Sequence, residues 1–153
     1  MIPLIEIIYF IFFSISVILF LIYIYKSLRK QSDFKYLIIA LLFFIINIFI
    51  DNKLSNLVIN EINSEISNST KIIFIDKKKN RIEIDKNSSE LKINTTSQKH
   101  SEKKVENYLL ISPKSTRIIL REDPKSKGKF WLKYPKYYFS NIKAVGYLEI
   151  NSK

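Results

Sequence analysis

Residues able to do covalent or metal chemistry are scarce in this chain. His100 is the one histidine in 153 residues and cysteine is absent, so no thiolate or imidazole cluster can hold a metal and no Cys–His pair can act as nucleophile and base. Gly128 and Gly146 stand alone, and neither a phosphate-cradling loop nor a dinucleotide fingerprint can be written without more glycine. Carboxylates occur at Asp76, Glu83, Asp85, Glu122 and Asp123. Those within Arg81–Asp85 alternate with isoleucine and so face solvent, and no spacing brings a second acid across a site. The expectation is a non-enzymatic protein with no catalytic residue, metal or cofactor.

Binding chemistry is better represented. The carboxy-terminal half interleaves cations with aromatic rings, and Tyr108, Arg117, Arg121, Trp131, Lys133 and Tyr138 are the candidate ligand-binding residues, with Lys129, Lys136, Lys143 and Tyr147 around them. Guanidinium forks grip phosphate bidentately and rings stack on bases, so the mixture suits a nucleotide or another anion. The competing reading is a solvated basic face over an aromatic core. Double-stranded nucleic acid is not expected as a partner. On Thr116–Glu122, alternation puts Arg117, Ile119 and Arg121 on one face and Ile118 and Leu120 on the other. If Ile118 and Leu120 fill the core, the arginines form an outer ridge ~13 Å long, suited to an acidic partner or lipid. If the domain encloses a ligand, they turn inward to clamp its phosphates.

The elements that must carry these residues fall into three parts: 1–50, a two-helix membrane anchor; 51–70, a helical stalk or linker; and 71–153, a basic β-rich domain. Of the formal net charge of +11, the first 50 residues carry four basic and two acidic groups, which leaves +9 on the remainder. Ile7–Tyr25 is free of charge over 19 residues, and at ~1.5 Å per residue it reaches ~28 Å, the thickness of a bilayer's hydrocarbon core. No basic segment precedes this run, and Lys26, Arg29 and Lys30 follow it instead of a small-residue cleavage site, so it reads as an anchor, not a cleaved signal peptide. Tyr36–Ile50 is a second, shorter span.

Ser14, Ser16 and Asn47 are the candidate interface residues of these helices, and self-association through them is expected. The loop carrying Lys26, Arg29, Lys30 and Lys35 reads as cytoplasmic, which puts both termini outside. Localisation in the inner (plasma) membrane with two spans follows.

After Asp51, Leu54, Val58, Ile62 and Ile66 recur every four residues, a helical stripe that extends the second span. From Lys71 the period changes to two. A hairpin is predicted from Lys71–Asp76 and Arg81–Asp85. Further strands are predicted at Leu91–Thr95, Val105–Ser112, Thr116–Glu122, Lys129–Tyr134, Tyr137–Asn141 and Ala144–Ile150, and a loop at 96–104 that includes His100. About eight short strands with hairpin-length connections argue for an eight-stranded antiparallel meander or barrel, since closure removes exposed edges.

The order of two membrane helices and a β-rich domain resembles the two-transmembrane β-barrel effectors of bacterial cyclic-oligonucleotide antiphage signalling (CBASS). The run Tyr137-Tyr138-Phe139-Ser140-Asn141-Ile142-Lys143-Ala144-Val145-Gly146-Tyr147-Leu148-Glu149-Ile150 is similar to that family's last hairpin: an aromatic pair with Ser, then Gly before an alternating apolar strand. The chain departs from the family in lacking a Gly-x-Trp opening to the β domain. The resemblance implies that a cyclic nucleotide enters the barrel, that the proteins cluster through their helices, and that the membrane is breached. The alternative is an envelope immunity, exclusion or assembly factor whose basic domain docks an acidic protein outside the cytoplasm.

Overall fold

A helix that is apolar all the way round has no face to turn to water, so it must be buried in protein or surrounded by lipid. α1 (Ile2–Leu28) is of this kind, and its large side chains stay uncovered: Leu4, Ile11, Ile18 and Leu21 are all more than half exposed. α2 (Phe34–Ser67) begins in the same way, with Ile38, Leu42 and Phe49 exposed. Both are long and apolar enough to cross a membrane. The computed structural model describes residues 1–29, 34–84, 92–95, 106–126 and 128–149, so the expected loop 96–104 with His100 lies outside the described residues.

The chain divides into two units, Met1–Leu54 and Ser55–Lys153. In the first, α1 and the start of α2 meet where small or polar side chains allow close approach. Ser16 Oγ donates to the Ala40 carbonyl at 3.1 Å, and the Phe12 and Phe43 rings meet at 5.2 Å. In the amide orientation that satisfies both groups, Asn47 Nδ2 donates to the Tyr9 carbonyl at 3.1 Å and its Oδ1 accepts from the Phe13 N–H at 2.9 Å. Ser14 instead donates to the Phe10 carbonyl of its own helix and is exposed.

In the second unit the end of α2 is amphipathic, with Val58, Ile59 and Ile62 buried. The β domain follows: β1 (Lys71–Ile75), β2 (Arg81–Ile84), β3 (Lys92–Thr95), β4 (Glu106–Ser112), β5 (Thr116–Glu122), β6 (Lys129–Lys133), the short α3 (Tyr138–Ile142) and β7 (Gly146–Glu149). The strands form one antiparallel sheet of seven in the order β2-β1-β4-β5-β6-β7-β3.

Register explains the core. Phe74, Leu109, Ile118 and Asn107, Leu120, Leu132 are cross-strand partners on one face, joined there by Ile72, Ile111 and Leu148. Leu109, Ile118, Leu120, Leu132 and Leu148 are fully buried. The same face curls inward. A flat sheet would hold β1 and β6 three strand spacings, about 14 Å, apart, yet the Phe74 and Phe130 rings meet at 5.6 Å.

Three expectations are corrected. The sheet is not a closed barrel: β2 and β3 are its two edges, and among the described residues they do not pair with each other. Closure is one way to protect an edge; short strands bearing charge are another. Each edge strand has four residues, and β2 carries exposed Arg81 and Glu83, the latter paired with Lys71 at 2.5 Å. The order is also not a simple meander, because β3 leaves β2 to pair with β7 at the far edge, Ile93 opposite Leu148. Finally, Tyr138–Ile142 is a helical turn in place of an eighth strand. There Ser140 Oγ donates to the carbonyls of Tyr134 (2.6 Å) and Tyr137 (3.3 Å), while the Tyr134 N–H donates to the Ser140 carbonyl at 2.9 Å. A serine that bonds its own local backbone gives that backbone an alternative to a sheet ladder.

Candidate anion-binding face

The face of the sheet opposite the core is where the sequence-predicted cations gather. Because Ile118 and Leu120 point into the core, Arg117, Ile119 and Arg121 must point out. The register then sets Arg121 between Glu106 on β4 and Trp131 on β6, and sets Trp131 opposite Tyr147 on β7. Neighbouring side chains form a continuous ladder. Arg121 Nη2 pairs with Glu106 Oε1 at 2.6 Å, and the Tyr108 hydroxyl donates to Glu106 Oε2 at 3.1 Å. The Arg117 guanidinium lies 3.8 Å above the Tyr108 ring. Farther along, Lys129 Nζ sits 3.8 Å from the Tyr147 ring and 4.9 Å from that of Trp131, and these two rings meet edge to face at 5.6 Å.

Electrostatically the ladder is only half neutralised. The hydrogen bond from Arg121, seconded by Tyr108 and opposed by burial, holds the Glu106 carboxyl below the usual carboxylate range. Glu106 therefore stays ionised and occupies Arg121. Arg117 is exposed, and among the described residues no carboxylate is ion-paired with it; its contact is the face of Tyr108. A guanidinium stacked on a ring keeps its N–H edge free to fork onto a carboxylate or phosphate.

Of the six residues singled out from sequence, five share this face. Tyr108, Arg117 and Arg121 are within one connected cluster, and Trp131 and Lys133 lie beside it. Trp131 is 1% exposed, however, and so cannot stack on a ligand as it stands. Lys133 is 8% exposed and its ammonium donates to the Ile142 carbonyl at 3.4 Å, tying α3 to the sheet. Tyr138 is on α3, not on the sheet, and is 63% exposed. Of the helix residues, Ser16 and Asn47 lie between α1 and α2, and Ser14 does not.

A second cluster was not singled out from the sequence. Glu61, on the last turns of α2, accepts hydrogen bonds from the Lys136 ammonium and the Tyr137 hydroxyl (2.6 Å), and the Tyr134 hydroxyl approaches at 3.5 Å. Burial alone would raise the Glu61 carboxyl, but the hydrogen bonds from Lys136 and Tyr137 outweigh it and bring it below the ordinary value. Lys136 is held protonated above its usual range by the same contact. Burial, with Glu65 and Glu61 close by, pushes the Tyr134 phenol far up, so it stays neutral. The signal was present: Glu61 and Glu65 are four residues apart and so share one helix side, next to the apolar stripe.

No group of three metal-binding side chains occurs among the described residues. No protein-family model matches the chain, and no curated protein or solved structure matches it either.

Proposed function

We propose that this is a membrane-anchored, non-enzymatic docking module: α1 and the first half of α2 span the bilayer, and the outer face of the β domain binds an acidic protein partner. The observation that carries the reading is the full burial of Ile118 and Leu120, which turns Arg117 and Arg121 outward. Small molecules are gripped in concave sites that enclose most of their surface. Here the curled side of the sheet is filled by Phe74, Phe130, Leu109 and Leu132, and Arg117 lies exposed on the opposite side, which is open at β5 and covered at Trp131 and Lys133. An open basic face suits the broad acidic surface of a macromolecule better than an enclosed cyclic nucleotide. This favours the envelope-factor reading over a messenger-gated effector. The basic residues Lys26, Arg29, Lys30 and Lys35 between the spans support a domain outside the cytoplasm on the positive-inside rule.

Self-association through the helices belongs to the same reading. It is supported by an apolar cleft of about 310 Å³ between α1 and α2, flanked by Phe13, Phe20, Leu37 and Phe44, that the two helices leave unfilled.

The test is isothermal titration of the full chain in neutral-lipid nanodiscs with a glutamate-rich peptide and with a panel of cyclic di- and trinucleotides. The peptide is expected to bind, more weakly as salt rises. Arg117→Ala should weaken it about tenfold, the ~1.4 kcal/mol of one charged hydrogen bond, with an unchanged circular dichroism spectrum. No heat from the peptide at low salt, or tight cyclic-nucleotide binding that ignores Arg117→Ala, would reject the proposal.

A further inference from the structure

Where α1 ends and α2 begins, cations and aromatic rings pack against each other. Lys26 Nζ donates to the Tyr36 hydroxyl at 3.3 Å and lies 4.4 Å from the centre of that ring. The Lys35 ammonium approaches the same ring at 5.4 Å. On α1, three residues on from Lys26 and so on the same side of the helix, the Arg29 guanidinium lies 4.5 Å over the Tyr25 ring. Tyr25 and Tyr36 border the two uncharged spans, at the depth where tyrosines collect in membrane proteins.

This cluster is short of negative charge. Residues 26–36 carry four basic side chains and one acid, Asp33. Among the described residues, no carboxylate is ion-paired with Lys26 or Arg29. Two ammoniums at one ring repel each other unless an anion joins them. The donors for that anion are in place. Because the Tyr36 oxygen accepts from an ammonium, its own proton goes to another acceptor, and Lys26 has further N–H groups to give. Arg29 is exposed, and stacking on a ring leaves its N–H edge open.

We propose that Lys26, Arg29 and Tyr36, with Lys35 adding charge, bind the phosphate of an anionic phospholipid. The proposal rests on the reading that α1 and the first half of α2 span the bilayer, which sets the cluster at headgroup level. The Arg29 fork takes two phosphate oxygens, and the Lys26 ammonium and Tyr36 hydroxyl donate to the others. A zwitterionic headgroup brings its own ammonium, which these cations repel, so the site selects a lipid of net negative charge. The apolar cleft between the two helices is lined at the end nearest the cluster by Leu21 and Leu37. An acyl chain can rest there, whereas a free phosphate ion gains nothing from it.

Native mass spectrometry of the full chain reads which lipid stays bound. The chain is released from neutral-detergent micelles holding equal amounts of dioleoylphosphatidylglycerol and dioleoylphosphatidylcholine. Expected is a preference for the phosphatidylglycerol adduct. Arg29→Gln should cut that preference about fivefold, the effect of one basic side chain at an anionic surface. Tyr36→Phe, which removes a hydrogen bond and no charge, should also cut it several-fold. Lys53→Gln loses the same charge at the other end of the second span and should leave the preference unchanged. Equal adducts of the two lipids, a preference that survives Arg29→Gln and Tyr36→Phe or falls as far with Lys53→Gln, or lipid displaced by excess inorganic phosphate would overturn the site. A chain that stays dispersed without detergent would overturn the spanning reading and the site together. Equal adducts on a chain that needs detergent would overturn the site alone.

Discussion

At the level of single residues, the account rests on how each charge is partnered. Glu61 has its folded value below its unfolded one, so the stabilisation it provides is present above the unfolded carboxylate range and is lost as pH falls through the folded value. Lys136 is shifted the other way: its contribution is present at neutral pH and disappears only as pH climbs above the ordinary lysine range. Glu61→Gln should therefore cost about 1 kcal/mol at pH 7, after allowance for solvent screening, and the gap should close below the carboxylate range. Urea unfolding of both proteins at pH 7 and at pH 3 measures it, and an equal gap at both values would remove the ion pair from the account.

Arg121 and Arg117 illustrate the same rule. The first is spent on Glu106, whereas the second stacks on the Tyr108 ring and, among the described residues, is ion-paired with no carboxylate. Sequence alternation could place both on one face. It could not show which one has an acid opposite, because Glu106 becomes the neighbour of Arg121 only through the β4–β5 register.

Among the elements, β5 is the keystone of the domain, paired on both sides and holding the two fully buried side chains Ile118 and Leu120. Leu120→Asp should unfold it. Burying an unpaired carboxylate costs several kcal/mol, a large part of the ~5 kcal/mol a small domain possesses. Loss of the β signal in circular dichroism is expected, and a folded variant would contradict the core assignment. The edges make a separate prediction. Replacing Arg81 and Glu83 together with isoleucine removes the charges that guard β2, so the variant should aggregate where the parent stays dispersed, as read by light scattering.

Period-two patterning made β1, β2, β4 and β5 legible almost to the residue; β4 and β5 alternate buried and more exposed positions, while β2 keeps the alternation in sequence although Ile82 is exposed at the sheet edge. It failed at Tyr138–Ile142, where aromatic content suggested a strand and the hydroxyl of Ser140 folded the backbone on itself. It also could not reveal that β3 crosses to β7, because pairing partners far apart in sequence leave no local mark.

For the whole molecule, the division of labour follows from solvent preference. Two long helices with large apolar side chains exposed suit a bilayer, and in the proposed reading the charged side of the sheet faces water and an acidic partner. The chain should stay with the membrane pellet after alkaline carbonate washing, and release into the supernatant would refute the anchor. Alkaline phosphatase fused after residue 153 should be active, and an inactive fusion alongside an active cytoplasmic reporter would move the domain to the other side.

The central claim is that the anion meets the outer face of the sheet and never its interior. Alternation provides the most direct measurement, because Leu109 and Ile118 point inward while their strand neighbours Leu110 and Ile119 point outward. Methyl-labelled full chain in micelles is titrated with the glutamate-rich peptide, and the four methyl groups are followed together. The account predicts saturable shifts at Leu110 and Ile119 with Leu109 and Ile118 unmoved. Shifts concentrated at Leu109 and Ile118, or at none of the four, would contradict it.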